Sequence, residues 1–574
     1  MPAKASFISI WLVTADQLIA CRTAARFFRM PQTITAPRRN RAAPAAFSWW
    51  KHGAIYHIYP LSFMDSNGDG RGDLVGITER LDYCRWLGAV AVWLSPIYPS
   101  PMMDFGYDVS DYTDVHSMFG TLADFDAMMK EAQRLGLKVV LDFVPNHSSD
   151  QHRWFLQSRS SRHSPYRGWY IWRDPAPGGG APNNWLSVFG GSAWEWDGST
   201  GQYYLHSYLK EQPDLNWRNR NLETAMHDAM RFWLDCGVAG FRVDSISHLM
   251  KDSLFRDNPV NPDWRPADGP YYRYLPIHSN DHSDTTEFIR RMRRVIDAYD
   301  DRVILGEAYL SLERTVAYYG AGIHLPFNFA LIRTPWNAPA VHDTIQAYEA
   351  LLAEDQWPNW VLGNHDRHRI ASRIGRAQAR VAAMLLLTLR GTPTLYYGDE
   401  ISMEDIPISP NLVKDPWEKN VPALGLGRDP ERSPMQWNGQ THAGFTTGTP
   451  WLPVADDFKC FNVAVQSGVA DSSLALYRRL LALRADRAAV HAGGYGELLC
   501  DDHVLAYSRR AASEYLWIIL NFTAEPRQFS HRELRGAIIL TTALDRWGEA
   551  VDIKLSLRAN EGVIVQLDGG NARS

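Results

Sequence analysis

Four short clusters of ionisable residues follow one another along the chain: Asp142-Phe-Val-Pro-Asn-His147, Phe241-Arg242-Val-Asp244, Gly306-Glu307-Ala308 and Asn364-His365-Asp366. Each stands at or near the end of an apolar, strand-like run. Charge in such a place is costly unless it is paired or neutralised, so it points to a site rather than to packing. One chemistry that suits an isolated Asp and an isolated Glu is glycoside cleavage. There a carboxylic acid protonates the leaving oxygen and a carboxylate meets the oxocarbenium-like centre. Asp244 stands two residues after Arg242, and residues i and i+2 of a strand share a face. A guanidinium beside Asp244 would keep it ionised and oriented, as a nucleophile requires. Glu307, flanked by Leu305, Gly306 and Ala308, has the apolar surroundings that raise a carboxyl pKa and suit a proton donor. Asp366 can grip adjacent ring hydroxyls and draw a sugar towards a half-chair. His147 and His365 offer ring nitrogens to hydroxyls. Each motif alone reads more readily as a structural ion pair or a satisfied core histidine; their order at successive strand ends reverses that weighting.

A second constellation is Asp65-Ser-Asn-Gly-Asp-Gly-Arg-Gly-Asp73. Side-chain oxygens recur at its first, third, fifth and ninth positions, with glycines that permit tight wrapping. It resembles the front of an EF-hand loop without the closing Glu. The candidate set for a structural Ca²⁺ is Asp65, Asn67, Asp69, Arg71 and Asp73. The competing reading is a solvated acidic turn. No His or Cys cluster indicates zinc or a catalytic metal.

The elements that must carry these residues are strands alternating with helices. Apolar runs rich in β-branched and aromatic residues fall at 55–60, 89–96, 138–146, 240–244, 302–307, 324–329, 357–363 and 392–397. Helix-period segments lie between several of them, at 124–135, 225–236, 286–299 and 371–389. Eight such units suit a (β/α)8 TIM barrel, in which the site is built where strands run out into loops. Between residues 148 and 214 the helical pattern gives way to Trp, Gly and Pro, which predicts a small domain inserted after the third strand. Residues 398–437 are irregular as well. After 490, short alternating runs at 504–508, 515–521 and 562–567 predict a C-terminal all-β sandwich. The domain reading is a flexible extension at 1–48, a barrel at 49–147 and 215–490, a lid at 148–214 and the sandwich at 491–574.

With 574 residues, 45% hydrophobic and 21% charged, the composition is that of a soluble globular protein of two or three domains. A net charge of −5 gives no footprint for nucleic acid or an anionic membrane. No run of 18 uncharged apolar residues predicts a membrane span. The 22 Trp and 25 Tyr can stack on sugars, although most must fill cores. Five widely spaced cysteines do not form a disulfide framework, which favours a cytoplasmic setting, with Cys84 and Cys236 read as small buried hydrophobes.

The four clusters resemble the signature regions of the α-amylase superfamily of glycoside hydrolases. Gln212-Pro-Asp-Leu-Asn-Trp217 is similar to the fifth signature of its α-glucosidase and oligo-1,6-glucosidase branch. The resemblance spans residues 49–567 and implies the barrel, the lid, the C-terminal sandwich and a double displacement that retains the α anomer. It makes Asp244 the nucleophile, Glu307 the acid/base and Asp366 the transition-state stabiliser. His147, Arg242 and His365 become the hydrogen-bonding set of the sugar site. Asp104 and Tyr107 match residues that close the pocket and stack beneath the non-reducing glucose. Arg428, within Gly427-Arg-Asp-Pro-Glu-Arg-Ser-Pro-Met-Gln-Trp437, resembles an arginine that pairs with Asp104, and Phe189 an aromatic wall. The Asp65 loop matches that branch's metal site. A pocket shut at one end implies exo-action on a small oligosaccharide or α-glucoside. Ser245, after the nucleophile, favours maltose-like or sucrose-like substrates over α-1,6 linkages. A transglucosylase or a sucrose isomerase would use the same residues. The run after Asp366, Arg-His-Arg-Ile, departs from the Arg-Leu-Asp-Arg of sucrose isomerases. An inactive sugar-binding relative would have lost a carboxylate, and this chain keeps all three. Nothing in the sequence indicates an oligomeric state.

Overall fold

Eight four-to-six-residue stretches, or shorter, meet edge to edge in one parallel sheet of the computed structural model, which describes residues 47–422, 424–511 and 514–568. Apart from Phe47 and Ser48, the N-terminal extension lies outside the described residues. In chain order the strands begin with β1 (Ile55–Ile58), β2 (Ala91–Leu94) and β3 (Lys138–Phe143). Three short strands follow in the insertion: β4 (Trp172–Arg173), β5 (Trp194–Asp197) and β6 (Gln202–Leu205). The barrel resumes with β7 (Gly240–Val243), β8 (Val303–Gly306), β9 (Leu325–Pro326), β10 (Asn359–Val361) and β11 (Thr392–Tyr396). Their order is β10-β11-β1-β2-β3-β7-β8-β9, the ladder of the (β/α)8 barrel.

Burial on both faces explains why these strands read as continuous apolar runs. Ile55, Ala91, Val140, Val303, Leu305 and Val361 pack together inside the barrel. Tyr56, Val92, Leu141, Phe241 and Ile304 point outward into the larger core shared with the helices. The expected helices appear as Leu122–Leu135, Arg220–Asp235, Thr285–Ile296 and Ile370–Thr388. Local chemistry sets their ends. Thr121 and Asp124 form a reciprocal capping box, and Gly136 at φ 70° stops the same helix.

The insertion forms a three-stranded sheet in the order β4-β6-β5. Phe155, Tyr170, Trp172 and Tyr204 pack into the main core, so most of its aromatics do fill space. A buried ion pair ties it down: Lys251 Nζ meets Asp214 Oδ2 at 2.5 Å and Asn146 Oδ1 at 2.8 Å. Sequence reading missed a third irregular excursion, residues 249–284 after β7. It packs against the lid through Trp185 Nε1, which donates to the Arg256 carbonyl at 2.9 Å.

The C-terminal all-β domain is one continuous antiparallel ladder. Its strands are β12 (Gly494–Cys500), β13 (Val504–Ala511), β14 (Glu514–Asn521), β15 (Arg527–Thr541), β16 (Ala550–Leu557) and β17 (Gly562–Leu567). Their order is β12-β13-β14-β17-β15-β16, with two register shifts within β15. One face encloses Trp517, Ile519, Leu555 and Val563, and the other packs Leu505, Ile518 and Ile564 on the barrel's helices. Cys84 is buried as expected, whereas Cys236 is exposed because it caps the helix Arg220–Asp235 rather than sitting within it. Among the described residues no helix is long and apolar enough to cross a membrane.

Candidate active site

Strand register builds the centre. Asp142 lies beside Arg242, and Arg242 beside Leu305, in the ladders β3–β7 and β7–β8. The pairing runs one residue further: Asp244 N donates to the Phe143 carbonyl at 2.8 Å, and Glu307 N to that of Val243 at 2.9 Å. Asp244 and Glu307 are therefore neighbours at two adjacent strand ends. Arg242, 1% exposed, holds both. Its Nη1 donates to Asp244 Oδ1 at 2.7 Å and Asp142 Oδ1 at 2.8 Å, while Nη2 lies 2.6 Å from Glu307 Oε1. The i, i+2 reading of Arg242 and Asp244 matches this geometry. Beneath lies the Trp93 ring, 5.2 Å from the guanidinium carbon, stacked on His57 at 3.6 Å.

Burial pushes the Glu307 carboxyl up to about 8; Arg242 opposes the rise, and the charges on Asp244 and Asp366 reinforce it. Burial also lifts Asp244 to about 6, again against Arg242. The order fits one protonated and one ionised carboxyl at neutral pH. Besides Arg242, Glu307 accepts from Ser245 N at 3.0 Å, so depth within the protein and like charges raise it. Ser245 adopts φ 47°, strain that turns the chain sharply at the strand end and aims that amide.

Asp366 sits across from this pair in the loop after β10. Burial alone would raise its pKa, but surrounding positive charge holds it well below the usual carboxylate range. His365 is kept neutral by burial, so Arg428 (3.2 Å) and Arg432 (2.9 Å) carry that effect. His365 Nε2 lies 2.8 Å from Tyr107 Oη, and the two rings stack with an interplanar angle of 7°. Tyr107 also donates to Asp142 Oδ2 at 2.9 Å. His147, lowered to about 4 by burial, is 3.1 Å from Gln212 Nε2, which donates to Asp104 Oδ2 at 3.1 Å.

One end of the site is closed by Arg428. Its Nη2 reaches Asp104 Oδ1 and Asp415 Oδ1, each at 2.7 Å, and its guanidinium lies 4.9 Å from the centre of the Phe189 ring. Phe189 packs against Tyr208 (5.5 Å) and Trp417 (5.4 Å), which brings the lid and the loop after β11 together. Thus all ten predicted catalytic and substrate-binding residues meet in one connected cluster. Sequence reading did not assign Asp142, Tyr208, Asp415 or Arg432. Asp142 heads the first cluster and Arg432 shares Arg428's motif, so both had a signal; Asp415 and Tyr208 had none. Ser245 Oγ is engaged by Tyr208 Oη at 2.6 Å. A cavity of about 390 Å³ lies elsewhere, between lid and barrel, and is lined by Arg167, Trp172, Trp217 and Lys251 rather than by the carboxylates.

The Asp65 loop stands apart. Asp65 Oδ1 accepts from Asn67 N at 2.9 Å, Asn67 Oδ1 from Asp69 N at 2.9 Å and Asp69 Oδ1 from Arg71 N at 2.8 Å. Gly68 and Gly70 take φ 83° and 89°, which allows that winding. Asp73 Oδ1 caps the helix Leu74–Leu87 through Gly76 N at 2.7 Å. The donor set is all oxygen and tightly wound, which fits a hard cation, although each side chain also serves the loop's own amides. Its three carboxylates do not close within 4.8 Å of one another; among the described residues the group that does is His368, Asp405 and Glu431.

Comparisons with known proteins agree with this geometry. The family model "Alpha amylase, catalytic domain" matches residues 57–493. An α-glucosidase of Culex pipiens is 38% identical, covering 91% of each chain. An oligo-1,6-glucosidase of Parageobacillus thermoglucosidasius is 37% identical over 84% of this chain and 92% of its own. Among solved structures, an alpha-glucosyl transfer enzyme superposes with a TM-score of 0.85 at 38% identity, covering 91% of this chain and 100% of that one. The trehalulose synthase of Pseudomonas mesoacidophila MX-45 gives 0.82 at 34%, covering 92% and 100%. With its barrel, its strand-end carboxylates and a family match over most of its length, the chain belongs to the α-amylase family of glycoside hydrolases.

Proposed function

We propose that the protein is an exo-acting, retaining α-glucosidase that releases glucose from the non-reducing end of short α-glucosides. The observation that carries this reading is the pair Asp244 and Glu307 clamped by one guanidinium, with a pocket end closed by Arg428 and Asp104. Two carboxyls this near suit double displacement, because the inverting route needs about 6.5–9.5 Å for a water between them. Asp244 Oδ attacks the anomeric carbon while Glu307 gives its proton to the departing glycosidic oxygen. Glu307, now ionised, takes a proton from water, which displaces Asp244 and returns the α anomer. Asp366, held anionic, accepts from ring hydroxyls as charge grows at the anomeric centre. Asp244→Asn and Glu307→Gln should each lower kcat/KM on p-nitrophenyl α-glucoside by about 10³-fold or more, with unchanged circular dichroism. Wild-type rates in either variant would end the assignment.

Glucosyl transfer is the second reading, favoured by the likeness to an alpha-glucosyl transfer enzyme. Product analysis with an alcohol acceptor present separates the two. The acceptor side is bounded by Tyr208 and the loop after β11, and Ser245's engagement with Tyr208 makes it a spacer for that side. For the Asp65 loop the proposal is a structural Ca²⁺ held by Asp65, Asn67, Asp69, Asp73 and backbone at Arg71. Calcium should raise the melting temperature of the wild type and leave Asp69→Asn unmoved; equal responses would refute it. The unpaired thiols of Cys84, Cys236 and Cys500 support a reducing, cytoplasmic setting.

A further inference from the structure

His368 lies two residues beyond Asp366, and Glu431 immediately precedes Arg432, the residue that grips Asp366 at 2.9 Å. Their side chains meet Asp405. His368 Nδ1 is 2.9 Å from Asp405 Oδ2 and 3.8 Å from Glu431 Oε2, and the three ligand atoms all lie within 4.8 Å of one another. A histidine–aspartate ion pair would explain the first contact alone. It leaves Glu431 unexplained: its side chain is 2% exposed, and Oε2 is buried with no hydrogen-bond partner. Burial, with the charge on Asp405, pushes the Glu431 carboxyl well above the usual carboxylate range, and a bound cation would hold it ionised and give its orphaned oxygen a partner. Asp405 is already steadied for that task, since its other oxygen accepts from Arg369 N at 2.9 Å. His368 is 51% exposed, which supplies an entry path and room for a water.

We propose that His368 Nδ1, Asp405 Oδ2 and Glu431 Oε2 form a binding site for a divalent transition-metal ion of the zinc type, with water as fourth ligand. Tetrahedral ligands at about 2.0–2.1 Å from zinc stand about 3.3 Å apart, and 2.9 and 3.8 Å bracket that spacing. One imidazole among two carboxylates favours such an ion over Ca²⁺, so the site differs in kind from the all-oxygen Asp65 loop. Bound metal would cross-link the loops after β10 and β11 that present Asp366 and Arg432. The proposal does not depend on which glucoside the enzyme takes.

The test uses the full chain, stripped by chelator and returned to buffer containing Ca²⁺, then titrated with Co²⁺. Visible ligand-field bands should saturate at one equivalent and be displaced by Zn²⁺. They should vanish in His368→Ala and Asp405→Asn and persist in Asp69→Asn. Zn²⁺ should raise the melting temperature by on the order of 2 °C in the wild type and not in His368→Ala. Absence of bands, or bands that survive His368→Ala, would overturn the proposal.

Discussion

Arg242 serves three carboxylates from one buried position, so removing it does more than delete a contact. Arg242→Met should cost about 3–5 kcal/mol of stability, because Asp142, Asp244 and Glu307 would stay buried without their cation. Urea unfolding at neutral pH measures this, with relief expected as acid protonates Asp142 and Asp244, whose carboxyls burial raises to about 7 and about 6. Activity carries its own pH signature. Asp244 must be ionised, so kcat/KM should fall as pH drops below about 6; Glu307 must be protonated, so it should fall again above about 8. The two groups are close enough to titrate as a pair, and the limbs of the bell report that pair. A profile flat between these limits and beyond would show that another couple does the chemistry.

At the scale of elements, β3 and β7 supply Asp142 and Arg242, and the segments that follow β2, β3, β7, β8, β10 and β11 complete the site. The lid is held by Lys251 and Asp214, a fully buried pair joined to Asn146 next to His147. Lys251→Met should therefore loosen the insertion before it loosens the barrel. Hydrogen exchange over residues 148–214 should rise while the helix Arg220–Asp235 stays protected, and KM should rise more than kcat falls. The strand ends were legible in the sequence because alternation within a strand is local: Arg242 and Asp244 share a face whatever surrounds them. The excursion at residues 249–284 was not legible. Its turns are built from contacts to the lid, such as Asn184 Nδ2 to the Asn258 carbonyl at 2.8 Å, and no periodicity marks it.

Over the whole molecule, the C-terminal sheet presents one face to the barrel's helices and keeps the other for itself. Trp517, fully buried on the private face, should tolerate no truncation: Trp517→Ala should cost about 3–5 kcal/mol while leaving kcat per folded molecule unchanged. Thermal unfolding and titrated active-site concentration decide this together. The sequence alone determined the barrel, the place of the carboxylates at its strand ends and the pairing of Arg242 with Asp244, because each follows from periodicity within a few residues. No local pattern shows how the pocket is shut: Arg428 and Asp104 stand 324 positions apart, so the sequence offered their pairing only through family resemblance, and the tertiary structure supplies the contact across separate loops. It also supplies the cause of the proton order that the sequence assigned to Glu307 and Asp244. That order arises from burial and from charges converging from four strands and loops, quantities that exist only once the chain has folded.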